Sequence, residues 1–410
     1  MTDDLNLSSR TADGDTRPVD GAERHRPVRQ SRERQLRRRR VVLLAALAAV
    51  VLVAGVTWYG LRELTALRAV PDYPGAGAGN VVVQVEQGDF TSAIATRLAS
   101  QDVVASARAF TRAAETVPRI RSVQPGYYQM RTRMSGVAAV TMLLDPASRV
   151  GQLDIRAGSQ LDDVRQPDDT VTAGILSLLS TASCARIDGT RSCASVEQLR
   201  EAMMQSPPAE LGVPEWAAEA VARVDPGRRL EGLIMPGHYD VRPGSSAVDL
   251  LTQVIATSTT RLQGAGMPDV AAPTGFGPYE VLIIASVIEK EAIAPDFGPV
   301  SQVIYNRLAQ GMPLQMDSTI NYPLDRQQIT TSDADRARPG SYNTYIAPGL
   351  PASPIGTPST EGINAAVQPT PGPWVYFVKC QPDGASCFAV TFEEHQRNRA
   401  AAVANGAFGG

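Results

Sequence analysis

The sequence predicts an α+β protein behind a single transmembrane helix, and three observations carry that prediction. An uncharged run of 21 residues extends from Val41 to Leu61; a β-rich run at Val81–Val85 is followed by helical stripes up to Leu144; and an apolar helical stretch from Pro278 is followed, far downstream, by paired β-rich runs at Trp374–Val378 and Phe388–Phe392. With 410 residues, 43% of them hydrophobic, the chain can bury the cores of two or three domains.

The elements follow in order. Residues 1–40 carry 11 Arg against 7 Asp and Glu, a net of +4, whereas residues 41–410 carry 28 basic and 35 acidic side chains, a net of −7. The basic charge therefore belongs to the tail, which reads as disordered and cytoplasmic. Nine Arg fall between Arg24 and Arg40 and stop where the uncharged run begins. At a rise of about 1.5 Å per residue that run spans the roughly 30 Å of a bilayer's hydrocarbon. The Arg cluster places the N-terminus in the cytoplasm, and Trp58 and Tyr59 suit the far interface. A cleaved signal peptide fits less well, because the run is long, starts late and lacks an A-x-A site. The cluster could also be read as a nucleic-acid arm, but the adjoining anchor accounts for its position, and no nucleic-acid partner is expected. The expectation is a single-pass protein of the cell membrane, with residues 62–410 outside.

Residues 62–80 read as a linker, its Pro- and Gly-rich part being Pro71–Asn80. Residues 81–150 form a small module in β-α-α-β-α order, with strands at Val81–Val85 and Gly126–Met130 and helices over 90–99, 105–116 and 136–144. Residues 151–276 form a connecting α+β region: a strand from Leu153, a helix over 169–180, a loop between Cys184 and Cys193, a helix over 215–223, a strand and turn over 230–239 and a helix over 247–262. A last mixed α+β domain covers 277–400. Pro278 opens its first helix, Asp296 introduces a second, Gly311 ends that one, and a β-hairpin closes the domain. Residues 401–410 read as a flexible tail.

All four cysteines, Cys184, Cys193, Cys380 and Cys387, lie beyond the anchor. An oxidising compartment favours disulfides, and pairing neighbours in sequence would close two short loops, though four cysteines allow three connectivities. Their spacings, with only His238 and His395 beyond the membrane, make a poor zinc set, so no metal and no cofactor is expected.

The densest chemistry lies between Pro278 and Ile355. A helix ends in Glu289-Lys290-Glu291, and polar, tyrosine-containing loops follow at Leu314–Thr319 and Ser341–Tyr345. Two residues apart on a helix means about 200°, so Glu289 and Glu291 cannot share a face. Ile284, Ile288 and Glu291 make an apolar row in which desolvation would raise a carboxyl pKa, the condition for a proton donor at neutral pH. Leu282, Ala285 and Glu289 make a similar row, so periodicity does not choose between them.

A resemblance does choose. The run Ala285–Glu291, then Asn306-Arg307-Leu308, Gly311-Met312, Leu314-Gln315, Asp317, Tyr342–Tyr345 and Gly349-Leu350-Pro351 resembles the YceG-like family of endolytic murein transglycosylases. The likeness is strong over about 277–400, with Trp374–Phe377 and Phe388–His395 as the closing hairpin. It is weaker over 81–265, where the order of elements is similar to the family's LysM-like module and connecting region. The resemblance implies that Glu291 is the catalytic acid, protonating the glycosidic oxygen that leaves N-acetylmuramic acid. The same carboxylate would then take the proton of that sugar's own C6 hydroxyl as a 1,6-anhydro ring closes. A second catalytic carboxylate, usual in hydrolases, is then not required. Gln315, Asp317, Tyr342, Asn343, Thr344 and Tyr345 would line the groove. The implied partners are nascent peptidoglycan strands and the cell-wall synthases, the penicillin-binding proteins, whose elongation the enzyme would terminate.

A penicillin-binding enzyme needs S-x-x-K with K-T-G, but the only lysines are Lys290 and Lys379, and Ser286 to Lys290 is one residue too long. A non-catalytic wall-binding scaffold would keep the LysM-like module while Glu291→Gln left its behaviour unchanged.

Overall fold

The computed structural model describes residues 30–68, 70–324 and 331–407, with backbone alone for 30–36 and 63–68. The tail expected over 1–40 thus lies largely outside the described residues. Two units are present, up to Ala69 and from Val70 onward. In the first, α1 (Gln30–Arg68) contains a stretch, Arg37–Arg62, long and apolar enough to cross a membrane, with a mean hydropathy of 2.6.

The second unit opens with a module that has its own core. Strands β1 (Val81–Val85) and β2 (Gly126–Met130) pair antiparallel, Val83 opposite Tyr128, and β3 (Arg149–Val150) adds to β2. Helices α2 (Thr91–Ser100), α3 (Ala107–Glu115) and α4 (Gly136–Leu143) supply Leu98, Phe110 and Val140 to a cluster shared with Val83 and Met130. Ser106 and Ser135 cap α3 and α4, each accepting a hydrogen bond from the third residue onward. The preceding segment, expected as flexible linker, is instead fastened to this module. Ala78 N–H donates to Thr132 C=O and Ser135 N–H to Gly75 C=O, both at 2.9 Å, while the Tyr73 hydroxyl donates to Asp102 at 2.6 Å. The glycines make this contact possible: a Cβ on Gly77, at φ +79°, would stand 2.5 Å from the Thr132 oxygen.

Next come β4 (Gln152–Ile155), the short pair β5 (Val164–Arg165) and β6 (Val171–Thr172), α5 (Ile175–Ala182), β7 (Ala185–Ile187), β8 (Thr190–Ser192), α6 (Val196–Gln205), α7 (Glu215–Arg223), β9 (Gly237–Asp240) and α8 (Ala247–Gly264). Several sequence expectations are corrected here. The helix expected over 169–180 begins only after Gly174, because Asp169 turns the chain at φ +68° and β6 pairs back onto β5. The loop expected between Cys184 and Cys193 is a hairpin turning at Asp188-Gly189, both at positive φ, with a Cys184–Cys193 disulfide across its ends. Residues 230–235 are a buried turn rather than a strand: Gly232, at φ +75°, lies against Pro354, and a Cβ there would meet it at 2.2 Å. Only β9 pairs, with β4.

The last region holds α9 (Pro278–Glu291), α10 (Phe297–Ala309), α11 (Asp317–Asn321), α12 (Asp333–Ala337), α13 (Thr360–Val367), β10 (Tyr376–Lys379), β11 (Ser386–Ala389) and α14 (Phe392–Ala404). β10 and β11 pair antiparallel, with a Cys380–Cys387 disulfide between them. The strands are shorter than expected, and the chain from Phe392 is helical, not β and then tail, because Thr391 and Glu394 form a capping box. Asp296 does not cap α10; its carboxylate accepts the Ser386 N–H at 2.6 Å, tying the helix to β11. The boundary expected near residue 276 is no break in packing, since one hydrophobic core runs from Leu153 through Leu251 and Ile284 to Ile363. α9 lies in its middle, against α7, α10, α11 and α13. That is why Val281 to Ile288 are buried without interruption.

Candidate active site

The end of α9 sorts its two glutamates. Around the last turn they face opposite directions, as helical geometry requires. Glu289 turns toward α13, where its carboxylate accepts the Ser359 N–H at 3.0 Å and the Ser359 hydroxyl at 2.6 Å. Ser359 Oγ in turn accepts the Gly362 N–H at 3.0 Å and so caps α13. Glu289 is therefore a structural tie between two helices. Glu291 faces the other way, is partly exposed, and accepts the backbone N–H of Ser318 on α11 through Oε1 at 3.2 Å. Burial is the main force raising the Glu291 pKa above the ordinary carboxyl value, and the Asp317 carboxylate adds to it. Hydrogen bonding from Ser318 and the positive charge of Lys379, on β10, oppose the rise. The Ser318 hydroxyl is itself buried, with no hydrogen bond within normal geometry among the described residues.

Asp317 is the hub of the facing wall. Its Oδ1 accepts the Thr331 hydroxyl at 2.6 Å and the Tyr345 hydroxyl at 2.5 Å, and Arg336 stands 3.6 Å from Oδ2. Burial, followed by Asp317, pushes the Tyr345 phenol up, so it stays a donor at any physiological pH. Arg336 also lies over the Tyr345 ring at 5.2 Å. Gln315 is exposed, sits at φ +56°, and its Oε1 accepts from Arg307 at 3.0 Å. Arg307, buried, also donates to the carbonyls of Val375 at 2.6 Å and of Pro313 and Leu314 at 2.9 Å. Together with Asn306, which donates to Gly372 and Trp374, it fixes the 313–315 loop and the start of β10 to α10.

The remaining expected groove residues are placed differently. Tyr342 is only 8% exposed, its hydroxyl is bonded to Ser353 at 2.7 Å, and its ring packs on Tyr322. Thr344, 3% exposed, uses its hydroxyl to accept the Met316 N–H and to pair with Thr319. Asn343 donates to the carbonyls of Arg336 and Arg338 and accepts the Tyr345 N–H. Expected as groove lining, these three instead spend their polar groups on the loop that delivers Tyr345. Ser318, Thr331, Arg336 and Lys379 were missed by sequence reasoning. Of these only Ser318, next to Asp317, lay within a motif that could have exposed it.

The arrangement is one partly exposed carboxyl whose pKa burial raises, with a backbone donor at one oxygen and hydroxyl, amide and carboxylate groups nearby. Such a site can deliver a proton to a polar, hydroxyl-rich substrate and take one back.

Comparisons bear on which substrate. Residues 83–401 match the model of the YceG-like family. An endolytic murein transglycosylase of Bacillus subtilis (strain 168) is 24% identical over 320 residues, 77% of this chain and 83% of that protein. An endolytic murein transglycosylase of Streptococcus pneumoniae serotype 2 is 30% identical over 176 residues; the match takes in 42% of this chain and only 32% of that relative. The crystal structure of a yceG-like protein from Listeria monocytogenes is similar with a TM-score of 0.50 at 23% identity, covering 78% of this chain and 99% of that one, a likeness of fold.

Proposed function

The chain belongs to the YceG-like family, and on that premise we propose that it is an endolytic murein transglycosylase that cuts peptidoglycan glycan strands with Glu291 as its acid and base. The observation that carries this reading is the state of Glu291: a carboxyl at the end of a buried helix, its pKa raised by desolvation and by the Asp317 carboxylate, yet partly exposed. Glu291 gives its proton to the glycosidic oxygen as the bond from C1 of N-acetylmuramic acid breaks. The resulting carboxylate is stabilised by the Ser318 N–H and the field of Lys379. It then removes the proton of the same sugar's C6 hydroxyl while O6 bonds to C1. The 1,6-anhydro ring closes, the acid is regenerated, and no water is consumed. Asp317, Tyr345 and Gln315 bind hydroxyl and acetamide groups of the strand, and Tyr342, Asn343 and Thr344 hold the loop that carries Tyr345.

The wider reading follows the same premise. Residues 81–150 act as a LysM-like module that holds glycan near the site. α1 anchors the chain with its Arg-rich end in the cytoplasm and the remaining domains outside, where the enzyme terminates strands made by cell-wall synthases. Mass spectrometry of glycan digested by the full-length protein tests the chemistry. Anhydro ends are expected from wild type and none from Glu291→Gln. Reducing-end hydroxyls would make the protein a hydrolase, unchanged products from Glu291→Gln would remove Glu291 from the reaction, and the absence of any cleavage by wild type would leave the protein a binding scaffold.

A further inference from the structure

Behind the site lies a carboxyl that the mechanism above does not use. Glu231, in the buried turn 230–235, is 1% exposed. Its Oε2 accepts the Leu161 N–H at 3.1 Å and the Tyr322 hydroxyl at 2.9 Å, while its Oε1 is buried without a hydrogen-bond partner among the described residues. An unpaired carboxyl oxygen in a core is costly, and a leucine or glutamine there would avoid a buried charge. Desolvation pushes the Glu231 pKa to about 7, against the pull of the Leu161 and Tyr322 bonds and of Lys290, with Asp162 adding to the rise.

What Glu231 holds is more informative than its own burial. Tyr322 follows α11 directly, and its N–H donates to Ser318 C=O at 3.0 Å. Ser318 is the residue whose own N–H meets Glu291. The Tyr322 ring packs at 4.9 Å against Tyr342, the first residue of the loop that ends in Tyr345 on Asp317, and the Arg228 guanidinium lies over the Tyr322 ring at 4.7 Å. Tyr322 thus joins both loops that face the acid, and its hydroxyl rests on Glu231.

We propose that Glu231 is a positioning residue for the transglycosylase reaction: by accepting the Tyr322 hydroxyl it fixes the turn of α11 that presents the Ser318 amide to Glu291, and with it the Tyr342–Tyr345 loop. The inference rests on the reading of Glu291 as the acid. Tyr322→Phe keeps the ring packing and removes only the hydroxyl. Glu231→Gln keeps an acceptor at the same place, and Glu231→Leu removes it without leaving a large cavity.

The test is steady-state glycan cleavage by the full-length chain, run well below each variant's Tm, normalised to folded fraction, with Glu291→Gln in parallel. The normalised kcat is expected to fall about tenfold in Tyr322→Phe and Glu231→Leu with KM within twofold, and Glu231→Gln is expected to recover kcat to within threefold of wild type. A role in stability alone would lower Tm and leave the normalised kcat at the wild-type level in all three. That result, with Glu291→Gln inactive, would overturn the role of Glu231 and leave the acid standing. Loss in Glu231→Gln equal to that in Glu231→Leu would also refute it, because the acceptor would not be what matters. Full activity of Glu291→Gln would remove the premise instead.

Discussion

The two sides of the last turn of α9 carry the same side chain and employ it in opposite ways. On one side Glu289 meets two donors of Ser359 and becomes a helix-to-helix tie. On the other, Glu291 accepts the Ser318 N–H, and burial raises its pKa above the ordinary carboxyl value. The lesson is that the part a carboxyl plays at a helix end is set by what its face of the helix meets: α13 makes Glu289 a tie, and burial raises the pKa of Glu291.

The comparison can be broken by substitution. The largest effect is expected for Glu291→Gln, a loss of about a thousandfold in glycan cleavage, in the upper range for a general acid–base residue, with Tm at or above wild type. A matching loss in Glu289→Gln would erase the distinction between the two sides. Next comes the facing wall: Tyr345→Phe removes the donor to Asp317 and should reduce kcat/KM about tenfold, read by the same cleavage assay, with little change in Tm. Glu289→Ala should do the reverse, costing about 1–3 kcal/mol of stability by chemical denaturation, the range for hydrogen bonds to a charged acceptor, with most activity kept below Tm. Smaller again is the capping loss in Ser359→Ala, about 1 kcal/mol.

Stability against pH sharpens the same contrast. Glu231 binds its proton more tightly folded than unfolded, with an ordinary value of 4.5 raised to about 7. The folded state is therefore favoured below pH 4.5, and that advantage is lost as pH rises through about 7. Glu291 shifts in the same direction. Denaturation midpoints measured across that window should slope downward with pH in wild type and flatten in Glu231→Gln; an equal slope in both would separate Glu231 from the effect.

Much of this was legible in the sequence where a pattern and a signal agreed. The first module shows its elements because β1 is rich in β-branched valine and apolar residues recur at helical spacing in α2, where Ile94, Ala95 and Leu98 make the buried face. α6 went unseen although Ser195 and Gln198 form a capping box, because it buries only Leu199 and Met203 and so has a thin stripe. α14 was hidden for a similar reason: among its residues only Ala402 is buried, and the Phe- and Val-rich approach reads as strand. The turn at 230–235 looked like β-structure because its apolar residues are all buried, and only a glycine at positive φ breaks it. At the site, Glu291 was reachable through its motif, whereas periodicity left Glu289 equal to it. Tyr342 and Thr344 were expected in the groove from the family resemblance, yet whether a loop's hydroxyls face outward or serve the loop itself depends on partners distant in sequence, Ser353, Met316 and Thr319. Glu231 was invisible for the same reason, since its partners Leu161 and Tyr322 lie far from it along the chain.

The central claim is that Glu291 retains its proton because the fold desolvates it. The most direct test is the carbon-13 titration of the Glu291 side-chain carboxyl by NMR in the full-length protein, assigned by the signal lost in Glu291→Gln. The account predicts a midpoint clearly above the ordinary glutamate value of about 4.3; a midpoint at or below that value would contradict it.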